Sequence, residues 1–168
     1  VHVRDEVAHV AEAELARQEK IWKTPVRYYS EDEQADYFRR NNARVILDLS
    51  WVKFMPIGEM REYHDYIFEV QRKHRDVMFG QWLQFDPRKG ADAVREFERC
   101  VSLDAGFVGI CVNGQVTGVP ASDPAWHAFY KASIDAGLPV MILAGLPGVG
   151  QGLPGGKGII LEDGHPRH

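Results

Sequence analysis

The chain has 168 residues, 45% of them hydrophobic, with a formal net charge of −4 and a pI near 6.0. That is enough for one domain with a sizeable core, and the mild acidity gives no reason to expect nucleic acid or an anionic membrane as partner. No apolar run approaches the ~18–20 residues that cross a bilayer, no signal-peptide apolar region opens the chain, and Cys100 and Cys111 form no CxxC pair, which points to a reducing, cytoplasmic setting.

Val1-His2-Val3 reads as a strand already under way with no initiator Met, so the start is expected to be trimmed. Asp5 to Lys23 predicts a half-buried surface helix, with Val7, Val10, Leu15 and Trp22 roughly on one face, and Thr24-Pro25 breaks it. A second helix is expected from about Glu31 to Asn41, with acidic residues in its first turn as the helix dipole prefers. Val45 to Leu49 is a short apolar strand. The helix after it, Glu59 to His74, carries Met60, Tyr63, Ile67 and Val70 at three- and four-residue spacing. Val77 to Phe85 is the next strand, followed by a helix from Gly90 to Leu103 with Val94, Phe97 and Val101 inward. Phe107 to Val112 is the third strand. Its helix begins near Asp123-Pro124, carries Trp126, Phe129, Tyr130, Ser133 and Ile134 on one face, and stops at Gly137. Pro139 to Ala144 is the fourth strand. The strand starts recur about every 31 residues, which means βαβ crossovers and a parallel sheet of (β/α) repeats.

Gly145 to Gly158 is a long glycine-rich loop at the carboxyl end of the fourth strand, the edge where barrels and open sheets build sites. Gly150-Gln151-Gly152-Leu153-Pro154-Gly155 matches GxGxxG in letters. The dinucleotide fingerprint needs a helix starting inside it, however, and Pro154 argues against one. Gly156-Lys157 lacks the Ser or Thr and the upstream Gly of a P-loop. A flexible active-site loop is the better reading. His2 is a candidate metal ligand, although a single His on an apolar strand is more often structural. His165 and His168, after Glu162-Asp163, are candidate catalytic or metal-binding groups; the plain reading is a solvated polar turn. His64 and His127 lie within amphipathic helices and His74 near a helix end, positions that suit surface or capping imidazoles. Asp86-Pro87 and Asn113-Gly114 follow strands, so Asp86 and Asn113 are candidates for substrate contact or plain turn residues. Trp51 and Trp82 are candidates to line a pocket for a flat substrate, or else core residues. No Ser-His-Asp order stands out.

Several stretches resemble the amidohydrolase superfamily, in the branch containing aminocarboxymuconate-semialdehyde decarboxylase and γ-resorcylate decarboxylase. They are Val1-His2-Val3, Phe79-Gly80-Gln81-Trp82-Leu83-Gln84-Phe85-Asp86-Pro87, Gly106-Phe107-Val108-Gly109-Ile110 and Ala136-Gly137-Leu138-Pro139-Val140-Met141-Ile142. Their order and spacing cover nearly all the chain. The resemblance implies a partial TIM-type (β/α)8 barrel, residues 1–168 forming one amidohydrolase-like domain incomplete at both ends. It also implies one divalent ion, most often zinc, held by an H-x-H on strand one, a His ending strand five and an Asp ending strand eight, with a strand-six His assisting. His2 matches one member of H-x-H, and its partner is either the residue before Val1 or position 4, which holds Arg4. The strand-five His falls near Leu143, which cannot bind a metal, so the implied site is incomplete in these residues. His165 or His168 is the expected replacement ligand or proton-transfer group.

The leading expectation is a metal-dependent hydrolase acting on a small organic acid, lactone or amide. The alternatives are non-oxidative decarboxylation of an aromatic or muconate-type acid, a metal-free barrel relative or ligand-binding module, and an unrelated doubly wound fold. The expected partners are a small-molecule substrate and further copies of the chain, because a partial barrel leaves sheet edges open.

Overall fold

The computed structural model describes residues 16, 19–25, 29–49, 55–103 and 106–144. Residues 16 and 19–22 are helical, part of the helix expected over Asp5–Lys23. Helix α1, Glu31–Arg40, begins at a reciprocal cap. The Ser30 side chain accepts from the Glu33 amide, and the Glu33 carboxylate accepts from the Ser30 amide. Three acidic residues in its first turn and Arg39 and Arg40 in its last match the helix dipole at both ends.

The strand–helix repeat follows as the spacing predicts. It runs β1 (Val45–Asp48), α2 (Ile57–Lys73), β2 (Met78–Leu83), α3 (Ala91–Ser102), β3 (Phe107–Val112), a single turn α4 (Gly114–Thr117), α5 (His127–Asp135) and β4 (Val140–Ile142). The Asp-Pro pairs act as helix starters. Asp86 and Asp123 accept from the amides two residues on and open 3-10 turns at Pro87–Lys89 and Pro124–Trp126, ahead of α3 and α5. Beyond α5, Gly137 takes φ 66, a left-handed turn that only glycine adopts without strain, and the chain re-enters the sheet.

All three strand pairs are parallel, and the sheet order β1-β2-β3-β4 follows the chain. A doubly wound sheet reverses its order at a switch point. No reversal occurs among the described strands, so that alternative falls. Four parallel strands, each crossing over through helix to its neighbour in sequence, are the repeat of a (β/α)8 barrel, here present in part.

The two faces of the sheet differ. Leu47, Leu49, Leu83, Phe85, Ile110 and Val112 belong to one buried cluster with Ile67 and Phe68 of α2, Phe97 of α3 and Phe129 of α5. Phe85 is its hub, its ring 5.8 Å from Phe97 and 5.5 Å from Phe129. Because side chains alternate along a strand, Asp48, Trp82, Cys111 and Met141 point the other way, toward the barrel interior. Shifts of register at Val45/Ile46 and at Gln81/Trp82 show where one strand carries an extra residue. On the inner face a Cβ at Gly109 would lie 2.8 Å from Trp82 Cζ3 and would run into the carbonyl of Pro139, so glycine there lets the indole and the β4 backbone close over β3.

Two expectations need correction. Ile134, expected on one face with Phe129 and Ser133, is 77% exposed. The inward stripe of α5 is Phe129 and Ser133, continuing from Trp126 of the preceding turn, and Ile134 lies about 100° further round, on the outer side. His64 is fully buried instead of lying at the surface, and His74 is nearly so; His127 is exposed as expected.

Candidate functional site

Parallel strands present their carboxyl ends to one rim. Around it the structure places Asp48 and Leu49 at the end of β1, Gln84 to Asp86 after β2, Asn113 after β3, and Leu143 and Ala144 after β4. Of the residues expected from sequence, Asp86 and Asn113 are brought to this rim. His2, Trp51, His165, His168 and the loop Gly145–Gly158 lie outside the described residues.

Asp86 is largely buried and its carboxylate is engaged. Oδ1 accepts from the Arg88 amide at 3.0 Å and from Arg88 Nε at 2.8 Å, and Oδ2 accepts from Nη2 at 3.2 Å. It thus caps a turn and holds a guanidinium at the rim. Asn113 is fully buried, and its backbone carbonyl accepts from both the amide and the hydroxyl of Thr117, at 3.1 and 2.8 Å, which winds α4. Asp48 brings a half-buried carboxylate to the inner face. Burial pushes the Cys111 thiol up, and the Asp48 charge adds to the shift, so Cys111 is a neutral thiol here. Trp82 lies between these strands on the same face.

The β4 terminus is the place to test the implied metal centre. Leu143 donates its amide to Val112 O at 2.9 Å, continuing the ladder beyond Ile142. The position is therefore fixed, and it offers an alkyl chain. Neutral Cys111, the Asn113 amide and the arginine-bound Asp86 are no substitute for imidazole and free carboxylate ligands. The described rim residues, which offer the Asp48 carboxylate but no imidazole, do not fit the metal set that the resemblance implies.

A second polar cluster lies on the opposite side of the sheet, between α2 and α3. His64 Nδ1 stands 2.9 Å from Glu96 Oε1, and His64 Nε2 stands 3.2 Å from the carbonyl of Gln84. Cys100 Sγ is 3.5 Å from Glu96 Oε1 and 3.6 Å from His64 Nδ1. The ligand atoms of His64, Glu96 and Cys100 all fall within 4.8 Å of one another, a grouping able in principle to hold a metal. Glu96, however, already has its oxygens occupied. It accepts from Arg61 Nε at 3.0 Å and from Arg99 Nε and Nη2 at 2.8 and 2.7 Å, while Arg99 Nη1 reaches Asp65 at 2.7 Å. Burial alone pushes the Glu96 carboxyl up, but Arg99, His64 and Arg61 together hold it well below the usual carboxylate range. A divalent ion would have to displace a forked guanidinium. The cluster is an ion-pair latch joining two helices and anchoring the Gln84 carbonyl below the rim.

Sequence reasoning missed this latch. A signal existed: His64 sits four residues after Met60 and three before Ile67, within the buried stripe of α2, while Glu96, Arg99 and Cys100 share one face of α3.

The amidohydrolase family model matches residues 27–166. No curated protein matches the chain. Among solved structures, 5-carboxyvanillate decarboxylase from Sphingomonas paucimobilis superposes with a TM-score of 0.56 at 19% identity, over 79% of this chain and 40% of that one. A 2,6-dihydroxybenzoate decarboxylase gives 0.55 at 18% identity, over 82% and 44%. A chain from Staphylococcus aureus gives 0.56 at 16% identity, over 78% and 44%. At these identities the likeness is one of fold, and the chain spans less than half the length of each of these structures.

Proposed function

The chain belongs to the amidohydrolase family, and on that footing we propose that it is part of a barrel enzyme that hydrolyses a small organic acid, lactone or amide. One observation carries this reading: four parallel strands present their carboxyl ends to a single rim whose inner face combines a carboxylate, Asp48, with an indole, Trp82. A carboxylate can accept a proton from an attacking water or orient a substrate hydroxyl, and an indole face suits a flat ring. Asp86 with its bound Arg88, and Asn113, are proposed as substrate contacts, Arg88 supplying a cation suited to a substrate carboxylate. Trp51 is proposed to line the pocket. A divalent ion, zinc by the habit of the family, is proposed at His2, with His165 and His168 as replacement ligands or proton-transfer groups. No chemical step rests on that ion. The proposed setting is the cytoplasm; among the described residues no helix is long and apolar enough to cross a membrane.

A second reading is non-oxidative decarboxylation, favoured by the two solved neighbours whose names are those of decarboxylases of aromatic acids. One experiment separates the two. The purified chain is supplied with zinc and offered a panel of lactones, amides and hydroxybenzoates in ¹⁸O-labelled water. Label in the product supports hydrolysis, and carbon dioxide released without label supports decarboxylation. Turnover of no member of the panel would leave the non-catalytic relative as the better account.

A further inference from the structure

We infer that Leu143 stands at the strand-five ligand place on the inner face of the rim and leaves it vacant, so that the described β4 residues supply no side-chain ligand to a divalent cation there and an imidazole at this position would supply one. The inference rests on the reading of the rim as the site, and it departs from the ligand set that the resemblance implies.

The register of β4 leaves no freedom. Val140, Met141 and Ile142 pair with Ile110, Cys111 and Val112, and the Leu143 amide adds the next rung to Val112 O. A slip of one residue would turn Met141 outward and bring Ile142 into the interior, reversing the faces of the whole strand. Strand alternation therefore puts Leu143 on the inner face with Met141, where the strand-five imidazole is expected. The neighbouring strand offers no replacement. Cys111 on that face is a fully buried neutral thiol, and Asn113 contributes an uncharged amide. Of the described imidazoles, His64 lies across the sheet tied to Glu96, His74 stands at the end of α2, and His127 is exposed at the start of α5. Met141, Leu143 and Cys111 make this side neutral and largely apolar, and a cation gains nothing from an alkyl wall.

The test is zinc binding to the full chain, measured by competition with a chromophoric chelator for wild type, Leu143→Ala and Leu143→His, with circular dichroism confirming the fold of each. Wild type and Leu143→Ala are expected to bind zinc alike, within about twofold, because no coordinating atom is lost. Leu143→His is expected to bind at least ~10-fold more tightly, the scale on which even outer-shell changes act. Zinc bound by Leu143→His when wild type binds none would support the inference equally. A tenfold or greater loss in Leu143→Ala, or an unchanged affinity in Leu143→His, would overturn it. Catalytic failure leaves this comparison untouched, since it reads binding and not turnover.

Discussion

Two guanidinium groups, an imidazole and a thiol converge on the buried carboxylate of Glu96. Removing the charge from a network of this kind leaves its partners uncompensated, which typically costs about 3–5 kcal/mol. Arg61 and Arg99 retain some contact with water, so Glu96→Gln is expected at the lower end, about 3 kcal/mol, read from the midpoint of urea unfolding. The same carboxylate sets an acid limit. Its folded pKa lies below its unfolded value, so its stabilising contribution is complete above about pH 4.3 and is lost as pH falls from there toward the folded value. Wild type should therefore lose stability through this window more steeply than Glu96→Gln; parallel curves would contradict the latch. Cys100 and Cys111 are both buried, and burial pushes both thiols up. Neither is expected to react with a thiol reagent in the native chain, and both should react on unfolding. The burial of His64 was not legible in the sequence, because an isolated imidazole on an amphipathic helix looks alike whether it faces water or a glutamate contributed by another helix.

Elements were easier to read than contacts. Apolar runs of four to six residues alternating with amphipathic helices, with Asp-Pro at the starts of turns and Gly137 at a helix end, located every described strand and the longer helices between them, but not the single turn α4. Errors arose at single positions of the pattern, as with Ile134, where a nine-residue helix buries a stripe too narrow to include every apolar residue. Strand ends were overestimated, since the apolar run outlasts the ladder in β2. The inner-face glycines illustrate what spacing cannot show. Gly109 lies inside a strand, where glycine is ordinarily unfavourable, because Trp82 and the Pro139 backbone occupy the room a side chain needs. Gly109→Ala should cost about 3 kcal/mol, the upper range for overpacking, in the same urea assay, and a cost below ~1 kcal/mol would show that β3 and β4 are not so closely apposed.

On the scale of the molecule, the succession of short motifs carried the family, while the chemistry of the rim was only half legible. Asp86 and Asn113 were found because turn residues follow strands. Asp48 was passed over because it sits inside an apolar run, where an acidic residue reads as an interruption and not as a group facing a barrel interior. The side of β4 away from β3 has no strand partner among the described residues, and Ile142 there is 53% exposed. Self-association through that edge is therefore proposed. Sedimentation should show species larger than the monomer, and a well-folded strict monomer would count against open edges. The strand order has a consequence for how the chain is made. Each strand pairs only with strands adjacent in sequence, so every new strand–helix unit can dock on the one before it as it leaves the ribosome, with no need to wait for distant segments. Nascent chains stalled after β3 should already protect β1 and β2 from a protease, making synthesis itself a route along which this half of the barrel acquires its shape.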